Sequence, residues 1–143
     1  MSTRKLTCLA CGQFNRVTAE RPAAAAKCGT CGARLFPKKP AEIDAKILAK
    51  AARADEVPLV VDFWAPWCGP CRMMAPEFAK AAETLNGSAR FAKLNTQDHP
   101  EASARYNIRG IPMLAAFSGG RERGRQAGVQ RAEAITGWVR ELA

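Results

Sequence analysis

A chain of 143 residues, 48% of them apolar, has room for one ordinary domain plus a small appendage, with enough apolar surface for a full core. Its formal charge of +9 sits at the front: residues 1–39 carry eight Lys or Arg against one acidic residue, while the remainder is nearly balanced. No run approaches the roughly 18 continuous apolar residues of a membrane span, and no apolar signal core follows Met1-Ser2-Thr3-Arg4-Lys5-Leu6-Thr7-Cys8. The six cysteines are therefore expected to be metal ligands or redox centres in a reducing cytoplasm, not a secreted disulfide scaffold.

Residues 1–36 read as a zinc-binding module. Cys8-Leu9-Ala10-Cys11 and Cys28-Gly29-Thr30-Cys31 each place two sulfurs two residues apart, and sixteen residues separate the pairs. Gly12 and Gly32 follow the pairs and suit tight knuckles that turn backbone N–H groups toward sulfur. Four thiolates fill a tetrahedral Zn²⁺ and leave no position for water or substrate, so one structural ion is expected and no catalysis there. Leu6, Phe14, Val17, Leu35 and Phe36 make a meagre core, which zinc binding, worth on the order of 10 kcal/mol, would complete. With zinc bound the local positive surplus falls from about seven to about five. No aromatic residues interleave with these charges, so no nucleic-acid partner is expected.

Phe36-Pro37-Lys38-Lys39-Pro40 resists regular structure, and residues 37–40 read as a linker. A helix is expected over 41–54, with Ile43, Ile47, Leu48 and Ala51 on one stripe. Val60-Val61-Asp62-Phe63-Trp64 reads as a strand buried on both faces. It leads into Trp67-Cys68-Gly69-Pro70-Cys71, after which Met74, Ala75, Phe78, Ala82 and Leu85 recur at helical spacing as far as Asn86-Gly87, with Pro76 expected to kink the helix. Residues 90–95 read as a strand. Asp98-His99-Pro100-Glu101 offers a capping box for a short helix to Tyr106, which makes His99, the only histidine, a surface residue. Residues 111–117 and 123–127 read as a hairpin turning at Gly119-Gly120, and Ile135, Trp138, Val139 and Leu142 mark a last helix. This order implies an α/β fold, a mixed sheet with helices on both faces.

The third cysteine pair differs from the first two. Pro70 restricts its loop, no further Cys or His pair follows at ligand spacing, and a strand runs straight into it, so redox chemistry is expected over metal binding. At the first helical turn, unpaired N–H groups and the helix dipole favour a Cys68 thiolate. Lowering a thiol pKa from about 8.5 to roughly 7 raises the thiolate fraction about fifteen-fold at neutral pH, and lost nucleophilicity takes back roughly five-fold. The larger gain is a good leaving group: a mixed disulfide on Cys68 is readily resolved by Cys71. Asp62 is the anomaly in its apolar strand, and burial should raise its pKa toward the neutral range.

Asp62-Phe63-Trp64-Ala65 leading into Trp67-Cys68-Gly69-Pro70-Cys71, with Ile111-Pro112 about forty residues on, resembles the thioredoxin family over residues 41–143. With the front cysteines, the whole chain is similar to the zinc-containing thioredoxin-2 subtype. The resemblance implies the thioredoxin fold and a protein-disulfide reductase. It also implies that Asp62, with Lys93 as neighbour, exchanges the proton of Cys71. Ile111-Pro112 would be a cis peptide packed against the dithiol, and Trp67, Gly69, Pro70, Gly110, Gly128 and Val129 would complete a docking surface for disulfide-containing proteins. The implied electron donor is an NADPH-dependent flavoprotein, thioredoxin reductase. No nucleotide-binding glycine motif occurs, so neither NADPH nor flavin is expected to bind directly. Three positions depart from the commoner pattern: Arg72 for Lys, Asn107 for Gly and Met113 for Thr. An alternative remains open, a zinc-dependent partner-binding or redox-sensing protein whose dithiol domain is mainly a docking platform.

Overall fold

The computed structural model describes residues 3–142. Its centre is strand β4 (Leu59–Trp64), in which every residue but the last is buried. Around it lies a five-stranded sheet of order β3-β5-β4-β6-β7, built from β3 (Ala41–Glu42), β5 (Arg90–Asn95), β6 (Met113–Ser118) and β7 (Arg121–Ala127). β3 and β4 run parallel to β5, while β6 is antiparallel to both β4 and β7. Residues alternate between faces along a strand. Val61 and Phe63 accordingly meet Leu48 and Ala51 of helix α1 (Ala45–Ala54) and Ala102 of α3 (Pro100–Arg105). On the other face Val60 meets Met74 and Phe78 of α2 (Gly69–Thr84) and Ile135 and Val139 of α4 (Ala132–Glu141).

Several element ends differ from the sequence expectations, each for a local reason. The first helix starts at Ala45, because the Asp44 carboxylate caps it by accepting from Ile47 N at 2.7 Å. Residues 41–42 instead form a short first strand beside Ala92 and Lys93. The capping box at Asp98 does not form: His99 is the N-cap of α3 and makes no side-chain cap bond. Helix α2 is continuous over Pro76, whose missing N–H leaves the Arg72 carbonyl without its helical partner. The hairpin turns at Gly119-Gly120 with φ of 62° and 84°, the left-handed pair that a two-residue turn requires. Both of its strands start or end beyond the expected limits, and a bulge interrupts their pairing between Ala116 and Phe117.

The front segment forms an antiparallel pair, β1 (Thr3–Thr7) and β2 (Phe14–Thr18). Leu6, Val17, Leu35 and Phe36 are buried in its core, joined by Val57 from beyond the 37–40 stretch. Phe14 is only half-buried, and its ring lies under the ammonium groups of Lys5 (4.8 Å) and Lys50 (4.7 Å). Leu9 joins the cluster around α1 and β4.

What fixes this segment to the rest is a buried polar junction. Arg90, fully buried at the start of β5, pairs with the buried Asp55 carboxylate that follows α1. Its other guanidinium nitrogen donates to Leu35 O at 3.0 Å, and Asp55 accepts from Thr7 N at 2.7 Å. Lys5 N donates to Glu56 Oε1 at 2.6 Å while Glu56 N returns a bond to Lys5 O, and Asn86 Nδ2 bonds Phe36 O and Pro37 O. Removing one partner of a buried ion pair strands the other charge, at a cost of about 3–5 kcal/mol. Arg90→Met should therefore lower unfolding free energy by about that amount, and Asp55→Leu/Arg90→Met should recover part of it. Guanidinium denaturation of the three proteins measures this, and a single variant as stable as the parent would contradict the role given to Arg90.

Candidate active site and metal centre

Strand β4 ends at Trp64, and a turn through Ala65 to Trp67 delivers Cys68 to the N-cap of α2. Cys68 Sγ takes the place of a capping oxygen, accepting from Cys71 N at 3.2 Å. Gly69 and Pro70 fill the first helical positions, where a missing proline N–H costs nothing. Cys68 and Cys71 are joined by a disulfide with Cα atoms 5.2 Å apart, and both are nearly buried. The Ile111-Pro112 peptide is cis. Ile111 O lies 3.9 Å from Cys68 Sγ, and Gly128 N donates to Pro112 O at 3.0 Å, which brings the 128–129 segment alongside.

The surface around this disulfide is apolar and open. Trp67 is 68% exposed and Val129 44%, while Gly110 and Gly128 lie at the surface. Met73, in the first turns of α2 and also 68% exposed, belongs to the same region and was not anticipated. It reads in the sequence as one of many helical methionines; its signal was a place one residue off the buried stripe of Cys71, Met74 and Phe78. Trp64 packs against Ala65, Cys68 and Cys71 instead of sinking into the main core, because the buried Phe63 faces the opposite way.

Asp62 lies on β4 opposite Lys93 of β5 and Leu114 of β6. Its carboxylate is fully buried, and neither oxygen has a hydrogen-bond partner among the described residues. Desolvation pushes its pKa up to about 7, against the pull of the Lys93 ammonium and with a further push from Glu42. Lys93 Nζ sits 4.5 Å from the centre of the Trp64 ring. A carboxyl with a raised pKa thus lies on the strand that feeds the turn carrying the dithiol, with an ammonium on the adjoining strand.

The other four cysteines converge elsewhere. The Sγ atoms of Cys8, Cys11, Cys28 and Cys31 all lie within 4.8 Å of one another, with Cys8 to Cys31 and Cys11 to Cys28 at 3.7 Å. A tetrahedron with Zn–S bonds of about 2.3 Å has edges of about 3.8 Å, so the set fits zinc. Gly12 and Gly32, at φ of 82° and 78°, let each knuckle turn back, their N–H groups bonding Cys8 O and Cys28 O. Thr30 N and Asn15 Nδ2 each donate to Cys28 Sγ at 3.4 Å. Hydrogen bonding from the Cys31 backbone, and then from Asn15 and Thr30, pulls the Cys28 thiol down to about 6, whereas Cys11, although the Gln13 backbone lowers it, is pushed up to about 12 by desolvation and by the thiols of Cys28, Cys31 and Cys8.

A disulfide-forming pair at the strand-to-helix turn of such a sheet defines a thiol-disulfide oxidoreductase of the thioredoxin fold. Comparison with known proteins agrees: the thioredoxin family model matches residues 39–141, and the model for the N-terminal segment of thioredoxin 2, a zinc ribbon, matches residues 7–33. Thioredoxin C-3 of Corynebacterium nephridii is 37% identical over 134 residues, covering 94% of this chain and 92% of that protein. Thioredoxin 1 of Nostoc is 48% identical over 67 residues, 47% of this chain and 63% of that one. Among solved structures, chloroplastic thioredoxin z superposes with a TM-score of 0.67 at 29% identity over 73% of this chain and 94% of that one. A mutant thioredoxin of Halobacterium salinarum gives 0.67 at 27% identity, covering 74% and 92%. The chain belongs to the thioredoxin family, as an enzyme with a thioredoxin domain behind a zinc-ribbon segment of the thioredoxin-2 kind.

The Asp62 environment has a consequence for stability. A carboxyl near pKa 7 when folded and about 3.9 when unfolded binds more protons in the folded state between those values, so stability falls as pH rises from about 4 to 7. The stability gap between Asp62→Ala and the parent, both oxidised, should shift in favour of the variant by up to about 4 kcal/mol from pH 4 to pH 8. Denaturation at the two pH values checks this, and a gap independent of pH would contradict it.

Proposed function

We propose that this chain reduces protein disulfides, with the dithiol at the head of α2 as the reacting group. The observation that carries the reading is Cys68 Sγ at the N-cap, accepting from Cys71 N beside the Ile111 carbonyl. Reduced Cys68 attacks a substrate disulfide as the thiolate, expelling one substrate thiolate and forming a mixed disulfide. Cys71 then attacks Cys68 Sγ, releasing the second substrate sulfur and closing the Cys68–Cys71 disulfide. Asp62 accepts the Cys71 proton for that second attack, and Lys93 tempers its pKa. Substrate docks as an extended segment along Ile111 and Pro112, flanked by Trp67, Gly69, Pro70, Gly110, Gly128 and Val129. An NADPH-dependent thioredoxin reductase returns two electrons.

Residues 1–36 form the zinc module, 37–40 the linker and 41–143 the thioredoxin domain. One Zn²⁺ held by Cys8, Cys11, Cys28 and Cys31 stabilises the fold and takes no part in the chemistry. Among the described residues no helix is long and apolar enough to cross a membrane, and cysteines that serve as metal ligands and as a redox pair suit the cytoplasm.

Reduction of insulin coupled to thioredoxin reductase and NADPH tests the reaction. Cys68→Ser should abolish it, and Cys71→Ser should halt after one attack as a mixed disulfide visible by mass spectrometry. Full biological effect in Cys68→Ser would instead favour the docking-platform alternative. Elemental analysis should find one zinc per chain, lost in Cys28→Ser with a lowered unfolding midpoint. Retained zinc in that variant would overturn the ligand set.

A further inference from the structure

Arg72, which keeps the positive charge of the commoner Lys, and Arg109, which Asn107 anchors, place fixed positive charge close to the dithiol in the chain. Arg72 follows Cys71 in the first turn of α2, is exposed, and donates to Pro66 O at 2.8 Å. Arg109 precedes the Gly110-Ile111-Pro112 segment, is also exposed, and donates from Nε to Asn107 Oδ1 at 3.1 Å. Asn107 holds a left-handed backbone at φ 56°, where glycine is the easier residue, and its side chain is what anchors Arg109. Both guanidinium groups are therefore held by neutral oxygens and keep their whole charge. Among the described residues neither forms an ion pair.

The other charges near this end of the molecule sharpen the picture. Arg131 lies two residues beyond Val129, exposed at the N-cap of α4. The carboxylates nearby are Glu77, half-buried and accepting from Ala132 N at 2.9 Å, Glu133 in the first turn of α4, and Glu122, which is paired with the Arg125 that donates to Asn107 O. Lys93 lies over Trp64, which itself packs against Cys68 and Cys71, and Asp98 and the His99–Glu101 pair follow β5. Pro66 and Trp67, in the turn before Cys68, carry no charge. Ile111-Pro112, the segment a substrate would lie along, thus follows Arg109 directly and lies alongside the 128–129 stretch that leads to Arg131, while Arg72 sits close to Gly69; Trp67, Met73 and Val129 are exposed apolar side chains of these same stretches.

We infer that this enzyme selects disulfides in acidic peptide segments, with Arg72 and Arg109 as specificity-determining residues and Asn107 as the positioning residue for Arg109. The inference rests on the reductase reading above and names the substrate class of that same site. Exposed opposite charges attract over about a Debye length and orient the encounter, so the preference belongs to the association step and is screened by salt. The chemistry is unchanged: the substrate disulfide gains two electrons and two protons as its sulfurs become thiols, and Cys68 and Cys71 become the disulfide.

The test uses the full reduced, zinc-loaded chain in single turnover, with tryptophan fluorescence following oxidation. Its substrates are two disulfide-bridged peptides of one sequence, flanked by Asp and Glu in one and by Lys and Arg in the other, plus neutral hydroxyethyl disulfide. At low ionic strength the second-order rate constant should favour the acidic peptide by about ten-fold, shrinking to within about two-fold in ~0.5 M salt. Arg72→Ser/Arg109→Ser should lose most of that preference while reducing hydroxyethyl disulfide at the parent rate. Asn107→Gly should lose part of it. Equal rates for the two peptides, or a preference undiminished in the double variant, would overturn the inference and leave the reductase reading standing. Failure to reduce any of the three disulfides would overturn the reductase reading itself.

Discussion

The fold depends on one constraint, the burial of β4 between β5 and β6 with helices against both of its faces. Such a strand must be apolar throughout, and its hydrogen-bonding edges are both used. It can leave the sheet only at its end, and the chain turns there into α2. That turn is where the dithiol sits, because Cys68 caps the helix that the strand feeds. The one polar residue the strand admits, Asp62, inherits an unusual proton affinity from the same burial. Rigid scaffold and reactive chemistry thus share one cause.

The zinc segment adds a second layer of dependence. The four converging cysteines bring the two knuckles together, but it is the Asp55–Arg90 junction that ties them to the sheet. Val57 closes the small apolar core from the other side, and Leu9 extends into the large one. Two cores that would each be complete at a linker instead interpenetrate through single side chains. The cysteine cluster is then a local clasp within a broader interface.

The sequence made the periodic and the punctuated parts legible. The apolar run of β4, the helical stripe of α2, the glycine pair at 119–120 and the two cysteine spacings each carry one dominant signal, and the structure places them accordingly. Features that depend on tertiary context were not legible. Arg90 and Asp55 carry no local sign of burial, since nothing beside either says that they will pair with each other and with Leu35 and Thr7 of the front segment. β3 was invisible because two residues have no periodicity, and α1 begins late because Asp44 competes for its first turn. Phe14 was expected in the module's core, yet two ammonium groups cover it in place of apolar neighbours. In the candidate site the dithiol and the isolated Asp62 stood out, whereas Met73 and the anchoring of Arg109 by Asn107 emerge only once distant loops are brought together.

The carbonyl of Leu35 and the amide of Thr7 complete a solvation shell that the thioredoxin domain cannot supply for itself. Cutting the chain after residue 40 would not yield a tidy minimal enzyme. It would leave Arg90 and Asp55 facing a vacated wall, beside an uncovered Val57. The appendage is in this sense a wall of the larger domain's interior as much as an attachment to it.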